Sequence, residues 1–295
     1  MELVYRPYYY SKVEKFLGTG VLLVLTGQRR VGKSYVMREV VQRKRQDSDS
    51  CVIYIDKEKT DFDFIQNYKA LVAYIDERRE PNKHTFILID EVQEIEGFER
   101  GLRNYYDNPD IDIIVTGSNS DTLSSDLATL LSGRYVEIFV QGLSYEEFLI
   151  FHNLEDSDDT LRRYINFGGL PGLRPIGLDD PEVVRQYLQG VYNTILVKDI
   201  VRRKKVRNVS FLENLIKYVG DNIGKPLSAT NIQNYMTSNK NEVSKNLILN
   251  YLKAMTEAFL VHDVTRFNLH GKKLLENNDK YYFGDVGLRN FIVGG

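Results

Sequence analysis

Residues 27–34 read Gly27-Gln28-Arg29-Arg30-Val31-Gly32-Lys33-Ser34, two glycines bracketing a short loop with a lysine and a hydroxyl after the second. Glycine lets such a loop curl until its N–H groups and the N-terminus of the following helix converge on one point, an arrangement that binds phosphate. The lysine supplies a mobile cation for β and γ phosphates, and the hydroxyl a ligand for magnesium. Every fixed position of G-x-x-x-x-G-K-[ST] is met, after an apolar strand and before a helix, which is the context the motif requires. The expected contacts to ATP are therefore Gly27, Gln28, Arg29, Arg30, Val31, Gly32, Lys33, Ser34 and Tyr35, with Mg2+ as counter-ion. The competing reading is a strand-to-helix turn that holds nothing.

A second chemical element is Phe86-Ile87-Leu88-Ile89, an apolar run ending in Asp90-Glu91. Asp90 is placed to hold magnesium, directly or through water, beside Ser34. Glu91 is placed to polarise an attacking water. Two acids after a strand are often only a solvated loop; beside a complete phosphate loop the catalytic reading is the stronger.

The run Ile111 to Val115 leads into Thr116-Gly117-Ser118-Asn119. Ser118 and Asn119 are candidates to touch the γ-phosphate or the water, or else to cap the helix carrying Leu123, Leu127 and Leu130. Arg134 either acts as an arginine finger, in cis or from a neighbouring copy in a homo-oligomer, or is a surface residue. Arg29 and Arg30 either touch phosphate or pair with acids of the protein, and no catalytic role is assigned to them.

The elements that must hold these residues are an alternation of short apolar runs and amphipathic stretches, the pattern of an α/β domain with a parallel sheet. Strands are expected at Val21 to Thr26, Cys51 to Ile55, Phe86 to Ile89, Ile111 to Val115 and Tyr135 to Val140. Helices are expected at Tyr35 to Arg45 and Phe62 to Arg79. Past Gly142 helix starts take over. Ser144 with Glu147 reads as a capping box, and Asp180-Pro181 as an N-cap with proline at the first helical position, opening a helix through Ile200. From Val209 the pattern is helix (Phe211 to Ile223), helix (Ser228 to Met236), helix (Glu242 to Ala258) and two strands (Phe259 to Phe267, Lys280 to Phe283), a winged-helix order. The expected domains are 1–142, 143–207 and 208–295.

Composition narrows the partners. With 39 basic and 41 acidic residues in 295, the formal charge is -2, so no global field draws the chain to nucleic acid or anionic lipid. One cysteine, Cys51, excludes an internal disulfide and fits a reducing compartment. No apolar run reaches the roughly 20 residues of a membrane span and the start has no signal-peptide core, so a cytoplasmic location without a membrane partner is expected.

Taken in order, the loop Gly27 to Ser34, Asp90-Glu91-Val92-Gln93, Thr116-Gly117-Ser118, Ser132-Gly133-Arg134, Gly168-Gly169-Leu170-Pro171 and Ile195 to Arg203 resemble prokaryotic AAA-superfamily P-loop ATPases whose P-loop domain precedes a region of unknown function. The resemblance runs from about Arg6 to Asn290. It implies a P-loop NTPase sheet of order 5-1-4-3-2, a helical lid and a winged-helix domain, and it supports the finger reading of Arg134. Proteins of that family commonly continue into a region similar to restriction endonucleases. This chain stops at Gly295, as a fragment or a short form, and no nuclease role is carried over.

The densest basic stretch contains Arg202, Arg203, Lys204 and Lys205. It reads either as a DNA-backbone contact beside the winged helix or as a helix end whose cations offset the carbonyl dipole. The helix from Glu242 offers few base-reading side chains, chiefly Lys245, Asn246 and Lys253. Two functions follow: an ATPase whose turnover drives conformational change, acting on DNA, or a nucleotide-dependent switch that binds a protein partner and hydrolyses slowly.

Overall fold

The computed structural model describes residues 4–117, 134–238, 243–265 and 279–294. Strands β1 (Leu22–Thr26), β2 (Ser50–Asp56), β3 (His84–Asp90), β4 (Ile111–Thr116) and β5 (Tyr135–Phe139) form one sheet in the order β2-β3-β4-β1-β5. All pairings are parallel, and the order is the expected 5-1-4-3-2 read from the other edge. Every residue of β1 and β4 is buried, as a parallel sheet covered on both faces requires.

Helix α1 (Pro7–Glu14) precedes the sheet, and α2 (Lys33–Arg45), α3 (Tyr68–Arg78) and α4 (Phe98–Leu102) lie between its strands. Helix α2 buries Val36, Met37, Val40 and Val41, the face expected from the sequence, but it begins at Lys33 rather than Tyr35. The helix expected from Phe62 begins only at Tyr68. Asn67 caps it by accepting the N–H groups of Lys69 and Ala70, and Thr60–Phe62 forms a separate 3-10 turn. Leu71 and Ile75 of α3 and Phe98 and Leu102 of α4 join Leu22, Val24, Ile53, Ile55, Ile87 and Ile89 in one core. Each such fully buried side chain contributes roughly 1.5–3 kcal/mol.

By contacts the chain divides into two units, Met1–Gly27 with Val31–Gln141, and Gln28–Arg30 with Gly142–Gly295. The second unit opens with α5 (Tyr145–His152), where the Ser144 hydroxyl accepts Glu147 N–H and Glu147 accepts Ser144 N–H, the expected capping box. Helix α6 (Asp158–Phe167) follows, then α7 (Pro181–Thr194), capped by Asp180 with Pro181 in its first turn. The helix expected to run unchanged to Ile200 instead widens into a π-helical segment at Ile195–Arg202.

Next come α8 (Val209–Asp221), β6 (Pro226–Leu227), α9 (Ala229–Ser238), α10 (Lys245–Glu257), β7 (Val261–Val264) and β8 (Asp279–Phe283), with an antiparallel sheet ordered β6-β8-β7. The expected hairpin has gained β6 as a third strand. Ser244 caps α10, and Glu242, where that helix was expected to start, lies outside the described residues. A last helix, α11 (Val286–Val293), packs against α6, α7 and α8.

Asp285 joins two stretches that lie far apart in the sequence. Buried before α11, it accepts N–H bonds from Leu288 at 2.9 Å and Gly169 at 2.8 Å, so it ties Gly168-Gly169 to the start of α11. A Cβ on Gly168 would stand 2.3 Å from Asp285 Oδ1, and one on Gly287 2.0 Å from Phe167 O. Burial raises the Asp285 carboxyl above its ordinary pKa, and the backbone N–H groups of Leu288, Gly169 and Gly287 oppose that shift.

Candidate functional site

β1 delivers Gly27 to the carboxyl edge of the first sheet with φ 138°. A Cβ there would lie 2.2 Å from Val140 O, so only glycine lets the chain pass this close to the backbone after β5. Gly32, with φ 101°, precedes α2, and its carbonyl accepts the N–H of Tyr35 at 3.0 Å and of Val36 at 3.1 Å. Lys33 is buried and folds back so that Nζ donates to Gly27 O at 2.9 Å. The lysine, both glycines and the start of α2 are thus assembled as the motif demands.

The acids stand at the end of β3, one strand beyond β4 in the sheet. Asp90 is 1% exposed, and its carboxylate is hydrogen-bonded by the hydroxyls of Thr116 and Ser34. Ser34 opens α2 and Thr116 ends β4, so three elements converge on one carboxylate. Burial raises the Asp90 pKa; the bonds from Thr116 and Ser34 oppose the rise, and the neighbouring charges of Glu91 and Asp56 add to it.

Glu91 has φ 55° and ψ 54°, a left-handed conformation unusual for a glutamate. Its N–H donates to Thr116 Oγ1 at 2.9 Å, and its carboxylate accepts from the Gln93 side-chain amide. Two residues here have no role in the sequence reading. Thr116 bonds both acids, and Asp56 ends β2 in register with Asp90 while pairing with Arg38 at 3.3 Å. The position of Asp56 at the end of an apolar run was the available signal.

Arg29 pairs with an acid, one of the two roles open to it: Nε and Nη2 meet the two carboxylate oxygens of Asp199, each at 2.9 Å, within the second unit. Asp199 is 1% exposed and lies in the π-helical segment. Arg30 has φ 71°.

Arg134 stands before β5, at the edge of the sheet opposite the loop. Tyr135 pairs with Leu22, while the loop leaves β1 after Thr26, four steps on, about 13 Å at roughly 3.3 Å per residue. Its exposed guanidinium pairs with Asp107 at 2.5 Å and lies over the Tyr106 ring. Ser118 and Asn119 lie outside the described residues.

In the basic stretch, Arg202 and Lys205 are exposed, whereas Lys204 is bound to the buried Glu257 at 2.5 Å. Lys253 of α10 also reaches Glu257, at 3.4 Å. Tyr235 and Leu249 expose 51% and 41% of their surface on α9 and α10. Among the described residues no group of three or more His, Cys, Asp or Glu side chains could hold a metal, and no helix is long and apolar enough to cross a membrane.

Residues 20–149 match a family described as "AAA domain", and residues 158–294 one described as "Domain of unknown function". An uncharacterized protein of Haemophilus influenzae is 31% identical over 300 residues, which cover 99% of this chain and 74% of that protein. An uncharacterized protein of Methanocaldococcus jannaschii is 25% identical, over 92% of this chain and 62% of its own length. Among solved structures, a Walker-type ATPase of Pyrococcus abyssi superposes with a TM-score of 0.68 at 16% identity, covering 98% of this chain and 95% of that one, a likeness of fold. With its phosphate loop, its sheet order and these relatives, the chain belongs to the AAA family of P-loop proteins, in a branch whose AAA domain is followed by a domain of unknown function.

Proposed function

We propose that this protein binds ATP with magnesium and hydrolyses it, and that turnover drives a conformational change. The observation that carries the reading is the convergence of Ser34 and Thr116 on buried Asp90, on the same sheet edge as Lys33 and the loop. Ser34 and Asp90 would hold the ion, which when bound neutralises charge between the β and γ phosphates. Lys33 exchanges Gly27 O for phosphate oxygen. Glu91, fixed by Thr116 through its N–H, orients water and takes its proton.

The winged-helix reading of α8 to β8 rests on the order of its elements. For its partner, a specific observation favours protein over DNA. Lys204 and Lys253 share Glu257, whose carboxylate offsets one of their two charges between the stretch Arg202 to Lys205 and α10, while Tyr235 and Leu249 are exposed. The reading supported best is therefore a nucleotide-dependent ATPase switch that docks a protein through this region. ATP hydrolysis measured with and without single-stranded DNA, duplex DNA and RNA tests it. Little stimulation is expected; a large, salt-sensitive stimulation by one of them would restore DNA or RNA as the client.

A further inference from the structure

Arg6 lies before the stretch matched to the AAA domain, yet it is one of the most buried charges in the chain, at 3% exposure. Its Nη1 donates to Val31 O at 3.1 Å and to Gln141 O at 2.9 Å, and its own N–H donates to Glu39 Oε2 at 3.3 Å. Its guanidinium also lies 4.4 Å from the centre of the Tyr9 ring. A buried arginine is retained only where its donors are well used. Here one of them grips a carbonyl of the phosphate loop itself.

That grip has a geometric consequence. The peptide joining Val31 to Gly32 is planar and trans, so its C=O and N–H point in opposite directions. Holding Val31 O against the guanidinium turns Gly32 N–H to the opposite side. In a loop of this type, N–H groups turned to one side are what an anion binds. We infer that Arg6 is a positioning residue of the phosphate loop, which presets the Gly32 N–H for nucleotide phosphate; the inference rests on the ATP reading above. Arg6 acts from outside the loop and touches no nucleotide in this account.

Tyr9 supplies an internal control, because its hydroxyl accepts Gln141 N–H at 3.0 Å and makes no bond to the loop. Arg6→Met keeps the stem but removes the donors, and Arg6→Lys keeps the charge on a shorter arm that cannot span both carbonyls. Affinity for ATP and thermal stability would be measured for wild type, both Arg6 variants and Tyr9→Phe. Expected is a loss of ATP affinity of about ten-fold or more in Arg6→Met, with a smaller loss in Arg6→Lys, given the worth of hydrogen bonds to a charged group. Tyr9→Phe should lose some stability and keep wild-type affinity. Should Arg6→Met fail to fold, Arg6→Lys decides. Wild-type affinity in the folded Arg6 variants, or an equal loss in Tyr9→Phe, would overturn the inference while leaving the ATP reading intact. Absence of ATP binding by the wild type would overturn both.

Discussion

Thr116 donates its hydroxyl to Asp90 Oδ1 and with the same oxygen accepts the N–H of Glu91, so one side chain at the end of β4 fixes both acids at the end of β3. The two acids are held differently. Asp90 is gripped at its carboxylate, in a buried setting. Glu91 is held by Thr116 at its backbone, in a left-handed φ, and its carboxylate is held by the Gln93 amide. Under the proposed function, that difference assigns the ion to Asp90 and the water to Glu91.

The state of Asp90 predicts a pH dependence. Burial raises its pKa above the ordinary aspartate value, and only the ionised form binds a cation. The magnesium-dependent part of ATP affinity should therefore weaken on acidification at a higher pH than a solvated aspartate would allow. In the nucleotide-free protein the sign is the reverse. A raised folded pKa contributes stability that is full below the unfolded value and is lost as pH rises through the folded one. Titrating ATP affinity with magnesium and with a chelator checks this; a difference between the two that stays constant down to the ordinary aspartate range would contradict it.

Gly168→Ala should destabilise the second unit by about 1–3 kcal/mol or more, because φ is 80° and the new Cβ meets Asp285 Oδ1. Asp285→Ala should cost a similar amount by stranding the Gly169 and Leu288 N–H groups. Thermal or urea denaturation reads both. A change within about 0.5 kcal/mol, as for an ordinary surface substitution, would remove Asp285 from its structural role.

The sheet and the loop were legible in the sequence because both are local. Five apolar runs mark the parallel strands, and the phosphate motif carries its own glycines, lysine and hydroxyl. What the sequence hid depends on neighbours far along the chain. Asn67 outcompeted the apolar periodicity that pointed to a helix from Phe62, since a side-chain cap fixes where a helix begins. Thr116 read as the first residue of the turn after a strand ending at Val115, and its bonds to Asp90 and Glu91 arise only from the pairing of β3 with β4. Gly168-Gly169 and Gly284-Asp285 stand more than a hundred residues apart, and only the fold shows that they are one joint. The Arg29 partner was open between phosphate and acid, and nothing near it in sequence pointed to Asp199.

Lys33→Ala should abolish tight ATP binding, since it removes the buried cation that the loop places beside Gly27. Isothermal titration with the folded variant checks this. Wild-type affinity would dismiss the loop as a nucleotide site.

Arg134 lies at the far edge of its own sheet, so a finger role would have to serve a neighbouring copy. In that case Arg134→Ala keeps ATP affinity and loses turnover, by about 10³-fold in strong cases, because a finger acts on charge formed in the transition state. Mixing it with Lys33→Ala protein should restore part of the activity. Normal turnover by Arg134→Ala alone would return the residue to its surface pair with Asp107.

The central claim is ATP hydrolysis at the edge where Asp90 and Glu91 meet the loop, and Glu91→Gln tests it most directly. The amide keeps the shape and the Thr116 bond to the backbone N–H but cannot take a proton from water. The measurement is steady-state ATP turnover at saturating magnesium and nucleotide, with affinity determined on the same preparation. The account predicts wild-type affinity within a few-fold and turnover lower by about 10²–10⁴-fold. Turnover near wild type, with nucleotide bound, would contradict it.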